Sequence, residues 1–314
     1  MLIAHDPRVA RLSRPVALAI GNFDGVHRGH LHIFQRVREA AERFQGTALA
    51  LTFDPHPTRV LAPERASALL TGLDRKLELM AAAGLDATIV QRFDLSLSSQ
   101  PAREFVETVL VPLRVREVFI GADFHFGHNR EGNGALLREL GKALGFVAHV
   151  IHPVTLDDQT ISSSRIRKAL GEGDLRVARA MLGRPFDLDG LVVMGHQRGR
   201  TLGFPTANLV TPCEALPRDG VYAVRVNVLG EDAPRSPFAG VMNLGSRPTF
   251  RAGRSLEVHL LDTAQDLYGR TLRVTFLARL RDEQRFDGVD ALRAQITRDV
   301  DDARRALSAE ETSP

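Results

Sequence analysis

The chain has 314 residues, 44% apolar and 25% charged, which excludes a wholly disordered, collagen-like or disulfide-scaffold protein and, at about 100–200 residues per domain, favours two domains over one. Its 41 Lys and Arg stand against 38 Asp and Glu, without the clustered basic stripe expected of a duplex-binding protein. A single cysteine, Cys213, excludes an intramolecular disulfide and a multi-cysteine zinc site and reads as an ordinary semi-buried thiol. Only Lys76, Lys142 and Lys168 are lysines, so the high isoelectric point rests on arginine. No signal-peptide pattern opens the chain and no run approaches about 18 uncharged apolar residues. The expectation is a cytoplasmic protein with no membrane partner.

In chain order, short apolar runs at 16–20, 48–53, 87–90, 115–120 and 146–151 alternate with amphipathic stretches such as 31–44, where Ile33, Phe34, Val37, Ala40, Ala41 and Phe44 recur near helical spacing. That alternation predicts a doubly wound α/β domain with a parallel sheet, Rossmann-like, over residues 1–184. A helix over 164–182 ends it, stopped at Gly183-Arg184-Pro185. Beyond Pro185 the texture changes to short β-rich runs at 188–194, 221–229, 238–244, 256–261 and 272–280, punctuated by Gly, Pro, Asn and Asp. Five or six such strands predict a small antiparallel β-barrel over 185–314, closed by a C-terminal helix near 290–307.

The most informative stretch is GNFDGVHRGH, residues 21–30, between the first strand and the first helix. Open α/β sheets bind ligands at the carboxyl ends of their strands, and a helix N-terminus offers N–H groups and positive dipole to a phosphate. Gly21, Gly25 and Gly29 permit close backbone approach, and His27 and His30, three apart, face one spot where imidazoles can stabilise charge on a leaving pyrophosphate. The alternative is a helix-capping or zinc-binding pair; zinc needs two more ligands, for which His32 or His56 offers itself.

These ten residues resemble the HxGH signature of the nucleotidyltransferase superfamily, in the form found in bacterial bifunctional riboflavin kinase/FAD synthetases. TFDPHP (52–57), GADFHFGHNREG (121–132) and ISSSRIR (161–167) follow in that family's order. The resemblance implies that Gly21, Asn22, Phe23, Asp24, Gly29, Ser163, Ser164 and Arg165 bind ATP, with His27 and His30 assisting attack of the FMN phosphate on the α-phosphorus. His56, stiffened between two prolines, would shape the pocket with Asp123 and Asn129 on its flavin or phosphate side. The chain departs from the commoner SSTRIR by Ser164, and carries Thr160 where some members have arginine.

The second half holds GLVVMGHQRGRTLGFPTANL, residues 190–209, and no GxxxxGKS/T anywhere, so phosphoryl transfer here is not of the P-loop kind. Gly195 and Gly199 suit a loop folding over a nucleotide. Thr206 and Asn208 of PTAN are hard neutral oxygen ligands suited to Mg²⁺ that keeps water and phosphate oxygens. DGVYAV (219–224), NLGSRPTF (243–250), LEVHLLD (256–262) and DLYG (266–269) continue in the order of the riboflavin kinase family. That resemblance makes Glu257 the general base on the riboflavin 5′-hydroxyl and sets Arg281 at the flavin. It implies ATP and Mg²⁺ as co-substrate and cofactor, riboflavin and FMN as substrates, FMN and FAD as products, and no nucleic-acid partner; it leaves the oligomeric state unknown. The alternatives are a kinase with an impaired adenylylation site, another HxGH nucleotidyltransferase, and a nucleic-acid-binding barrel. The last is disfavoured by a chain with no Trp and only Tyr222 and Tyr268.

Overall fold

A computed structural model describes residues 1–6, 12–195, 203–234, 236–246, 254–263 and 265–312. The chain forms two compact units, Met1–Ala68 with Leu73–Ser163, and Leu69–Gly72 with Ser164–Pro314. Among the described residues no helix is long and apolar enough to cross a membrane.

The first unit is built on six parallel strands, β1 (Leu2–Ala4), β2 (Val16–Ile20), β3 (Thr47–Asp54), β4 (Ala87–Arg92), β5 (Val115–Gly121) and β6 (Val147–Ile151), in the order β1-β4-β3-β2-β5-β6. The helices are α1 (Arg28–Arg43), α2 (Pro57–Leu61), α3 (Leu73–Ala82), the short α4 (Leu95–Ser98) and α5 (Ala102–Phe105), and α6 (Gly134–Leu144). Every residue of β2 is buried, as expected of a central parallel strand covered on both faces. On one face Leu18, Leu49, Leu51 and Ile120 meet Leu137 and Leu140 of α6. On the other, Ala17, Ala19 and Ala50 leave room for Phe34, Val37 and Ala40 of α1. The strand order reverses between β2 and β5, the switch point at whose carboxyl edge open α/β sheets take their ligands. Strand β1, too short for a periodicity signal, was not expected; it pairs with β4 through Leu2, Ile3 and Ala4.

A two-stranded hairpin, β7 (Thr155–Leu156) and β8 (Gln159–Thr160), precedes α7 (Ser163–Glu172) and α8 (Leu175–Leu182). The single helix expected over 164–182 is therefore two. Gly173 takes φ +81°, which ends α7, and the Asp174 carboxylate accepts from Val177 N at 2.9 Å to cap α8.

In the second unit β9 (Asp187–Val193), β10 (Ala207–Val210), β11 (Gly220–Val228), β12 (Phe238–Ser246), β13 (Arg254–Leu260) and β14 (Thr271–Arg281) close into an antiparallel barrel in the order β10-β13-β12-β11-β14-β9. The β9–β10 pairing, with Asn208 opposite Val193, completes the ring and leaves no strand edge exposed. Tyr222, Val224, Met242, Val258 and Phe276 are buried; Tyr222 and Phe276 meet edge to face at 5.4 Å, and the Tyr222 hydroxyl donates to Arg218 O. Cys213 is buried and its thiol donates to Leu70 O at 3.3 Å, within the same unit.

Helix α9 (Val289–Thr312) lays Val300, Ala303 and Leu307 on Val221, Ala223 and Val241 of the barrel. The Arg281 guanidinium fixes its register, donating from Nε and Nη2 to the two oxygens of buried Asp299 at 2.8 and 2.7 Å. Because removing one partner strands the other charge out of water, Asp299→Ala is expected to lower the unfolding free energy of this unit by about 3 kcal/mol in urea titration. The paired replacement Arg281→Met with Asp299→Leu should recover most of that loss.

Candidate active sites

The turn from β2 into α1 sits where the strand order reverses. Three residues take left-handed backbone in a four-residue span, Phe23 (φ 50°), Gly25 (φ 82°) and Val26 (φ 40°). For an aromatic and a β-branched residue this is strained backbone, of the kind held only where surrounding contacts over-determine it. The contacts are present. Phe23 is 2% exposed and packs on Phe34 at 4.8 Å. A side chain on Gly21 would come within 3.0 Å of the Phe23 ring, so glycine there is what lets the ring turn inward. The Ser163 hydroxyl donates to Asp24 O at 3.0 Å.

The two histidines of the motif stack, ring centroids 3.6 Å apart and planes 17° from parallel. His27 is the N-cap of α1, its Nδ1 accepting from His30 N at 3.4 Å. Gly29 accommodates its ring, since a Cβ there would lie 3.1 Å from His27 Cε1 and Nδ1. Phe23 stands edge-on to His30 at 5.3 Å. His30 Nδ1 is sealed from solvent without a hydrogen-bond partner. Burial first, then the neighbouring His27 and Lys76, hold the His30 imidazole well below its ordinary pKa. The helix-cap reading of His27 thus coexists with the phosphate-site reading. The zinc reading finds no support, because among the described residues no three His, Cys, Asp or Glu side chains are grouped to hold a metal ion.

Two residues that spacing did not reveal sit behind this turn. Lys76 of α3, 8% exposed, donates from Nζ to Thr52 Oγ1 at 3.1 Å and Asn22 O at 3.4 Å, while Thr52 itself donates to Asn22 O at 3.0 Å. Burial lowers the Lys76 pKa, and the charges of Asp24 and Asp54 oppose that shift. No sequence signal marked Lys76; in the structure Lys142 and Lys168 are exposed and Lys76 is the buried lysine.

The remaining expected residues of this site lie at the same carboxyl edge of the sheet or on α7. His56, after β3, caps α2, its Nδ1 accepting from Thr58 N at 3.3 Å and lying 2.8 Å from Thr58 Oγ1. Asp123 and Asn129 are exposed on the loop after β5, with Asn129 at φ 52°. Ser163, Ser164 and Arg165 form the first turn of α7.

On the barrel, β13 alternates, with Leu256, Val258 and Leu260 buried and Glu257 and His259 partly exposed on its other face. Register puts Glu257 opposite Asn208 of β10 on one side and Asn243 of β12 on the other, so three polar side chains cross neighbouring strands on one surface. The Ser255 hydroxyl donates to Glu257 Oε1 at 2.9 Å. A Cβ on Gly195 would lie 2.1 Å from Asn208 Nδ2, so the carboxamide occupies the space that glycine leaves. Pro205 O is 2.7 Å from His259 Nδ1, and Phe204 meets the His259 ring edge to face, which ties the start of PTAN to β13. Gly199 lies outside the described residues. Arg281, expected at the flavin, has its guanidinium engaged elsewhere: Nε and Nη2 bind Asp299 and Nη1 donates to Asp282 O at 2.9 Å. That arrangement makes it the anchor of α9.

A nucleotidyltransferase-like parallel-sheet unit followed by a riboflavin-kinase-type barrel defines the class, and both halves match family models: FAD synthetase over residues 10–165 and Riboflavin kinase over 182–307. Proteins named bifunctional riboflavin kinase/FMN adenylyltransferase are similar along nearly the whole chain. The Escherichia coli K12 protein is 43% identical over 284 residues, 90% of each chain. The Haemophilus influenzae protein is 39% identical, covering 94% of this chain and 95% of its own; that of Bacillus subtilis is 35% identical, covering 93% and 92%. A solved Streptococcus pneumoniae structure described as a macrolide-efflux protein superposes with a TM-score of 0.84 at 28% identity, covering 96% of this chain and 98% of its own. The chain belongs to the bifunctional riboflavin kinase/FMN adenylyltransferase family.

The state of His30 has a measurable consequence. The unfolded chain takes up a proton on this residue near pH 6.5, whereas the folded protein resists it, so stability contributed here is present above about pH 6.5 and falls as the pH drops below it. Urea midpoints of the wild type should decline more between pH 7.5 and pH 5 than those of His30→Asn, which has no imidazole to protonate.

Proposed function

We propose that this chain makes FAD from riboflavin in two ATP-dependent steps, each carried by one of its units: riboflavin is phosphorylated to FMN on the barrel, and FMN is adenylylated to FAD on the parallel-sheet unit. The observation that carries the reading is that one chain presents both the stacked His27 and His30 at the N-terminus of α1 and the Asn208–Glu257–Asn243 row on a closed barrel. The family models divide in the same way, FAD synthetase over 10–165 and riboflavin kinase over 182–307. The substrates are small molecules, and the cytoplasm, where ATP is available, is the place of action.

In adenylylation a phosphate oxygen of FMN forms the new bond to the α-phosphorus of ATP as the bond to the β-phosphate oxygen breaks and pyrophosphate leaves. No side-chain nucleophile is required, so the protein's work is orientation and charge stabilisation. Gly21, Asn22, Phe23, Asp24 and Gly29 shape the turn that receives the triphosphate, Ser163 holds Asp24 from behind, and the dipole of α1 favours the anion. His27 and His30 face the bond that breaks. His56, Asp123 and Asn129 supply the rim on the flavin side.

In the kinase step Glu257 takes the proton of the riboflavin 5′-hydroxyl, whose oxygen attacks the γ-phosphorus while ADP departs. The Ser255 hydroxyl on Oε1 orients the carboxylate. Thr206, just before β10, and Asn208 within it offer neutral oxygen donors of the kind Mg²⁺ accepts beside substrate phosphates. Bound there, the ion would neutralise phosphate charge.

The test is direct. Purified protein is given riboflavin, ATP and Mg²⁺, or FMN, ATP and Mg²⁺, and the flavins are separated by chromatography. FAD is expected from both starts; FMN as the sole product would leave the kinase and overturn the adenylylation assignment. Glu257→Gln should abolish FMN formation, by at least about a hundredfold, and leave FMN-to-FAD conversion near wild type. His30→Ala should do the reverse.

A further inference from the structure

Asp24 is 4% exposed in this turn and needs a cation or several donors to be tolerated there. Behind it, Lys76 reaches out of α3 with its Nζ between Thr52 Oγ1 (3.1 Å) and Asn22 O (3.4 Å). Thr52 is fully buried and donates to the same Asn22 carbonyl. The three groups form a closed triangle on the backbone of the residue that precedes the strained Phe23. The Lys76 charge also interacts with the charges of Asp24 and Asp54 and with His30. An ammonium suits this position: it is a compact point charge with three rotatable donors, two of whose contacts are made here, whereas a guanidinium is a planar fork. In a chain that uses arginine for nearly all its cations, the lysine stands where shape matters.

We propose that Lys76 is a positioning residue for adenylyl transfer, pinning the Asn22 carbonyl so that the turn keeps its shape and setting the charge environment of His30. Its amine is engaged by Asn22 O and Thr52 Oγ1 at the back of the turn. Its contribution passes through two neighbours: the backbone of Asn22 to Asp24, whose displacement misaligns the triphosphate, and the His30 imidazole, whose proton affinity the nearby cation depresses. This inference rests on the assignment of adenylylation to the parallel-sheet unit.

The experiment uses the full-length protein, with its kinase activity as internal control. Lys76→Met should lower kcat for FMN-to-FAD conversion about a hundredfold while riboflavin-to-FMN conversion stays at the wild-type rate. A merely structural role would not move the second readout: in ¹³C-histidine-labelled protein the His30 titration midpoint, assigned by its loss in His30→Asn, should rise in Lys76→Met because a repelling cation is gone. Lys76→Arg should keep the lowered midpoint and recover only part of the rate. Should Lys76→Met fail to fold, Thr52→Val, near-isosteric, removes one side of the triangle and should still slow FAD formation about tenfold, with the kinase unaffected. Wild-type FAD formation in a folded Lys76→Met, an unmoved His30 midpoint, or full activity in Thr52→Val would each overturn the proposal. A wild-type protein that makes FMN but no FAD would instead overturn the assignment of the unit.

Discussion

The parallel-sheet unit depends on one constraint, a turn of left-handed backbone at Phe23, Gly25 and Val26 held at the point where the strand order reverses. Such a conformation costs about 1–3 kcal/mol per non-glycine residue and persists because its surroundings leave no relaxed alternative. Phe23 is locked between Gly21 and Phe34, Asp24 O is taken by Ser163, and Asn22 O by Thr52 and Lys76. The contacts of Phe34, Thr52, Lys76 and Ser163 come from four different elements, so the unit's tertiary structure converges on three residues, Asn22, Phe23 and Asp24. The same turn aims α1, and with it the two stacked imidazoles.

The barrel solves its task differently. Closure of the β9–β10 seam removes sheet edges and fixes register across β10, β13 and β12, so Asn208, Glu257 and Asn243 are brought abreast by hydrogen-bonded pairing. The interior is committed to Tyr222, Val224, Met242, Val258 and Phe276, which leaves chemistry to the alternating outward positions. A strand with period two can serve both purposes at once. The cost is that an outward Glu257 carries no burial signal of its own.

That difference explains what was legible in the sequence. Apolar runs located five of the first unit's six strands, and turn residues located the barrel, because burial and turn chemistry are local properties. The motif glycines were legible as glycines; their separate reasons, room for Phe23 at Gly21, for His27 at Gly29 and for Asn208 at Gly195, are tertiary. The break at Gly173-Asp174 was a local stop signal, a glycine followed by a capping aspartate, passed over in favour of continuous amphipathicity. Arg281 shows what the sequence does not reveal: Asp299, eighteen positions on, becomes visible as its partner only once α9 is folded onto β14. Lys76 was likewise silent, since its partners Thr52 and Asn22 lie 24 and 54 residues away.

The charge arrangement around His30 has a further logic. Desolvation, His27 and Lys76 all act in one direction and lower the proton affinity of the imidazole. In the proposed adenylylation, a triphosphate seated at the N-terminus of α1 would carry several negative charges into the same space and act in the other direction, favouring the protonated ring. On the adenylylation reading proposed above, the charge of the substrate would therefore set the histidine's protonation, which would change as pyrophosphate charge develops and leaves. A group poised in this way can strengthen its hold on the leaving group during the reaction more than on the ground state, which is the condition for an electrostatic contact to accelerate a step. The lysine that weakens the resting histidine's basicity is then part of what makes it responsive.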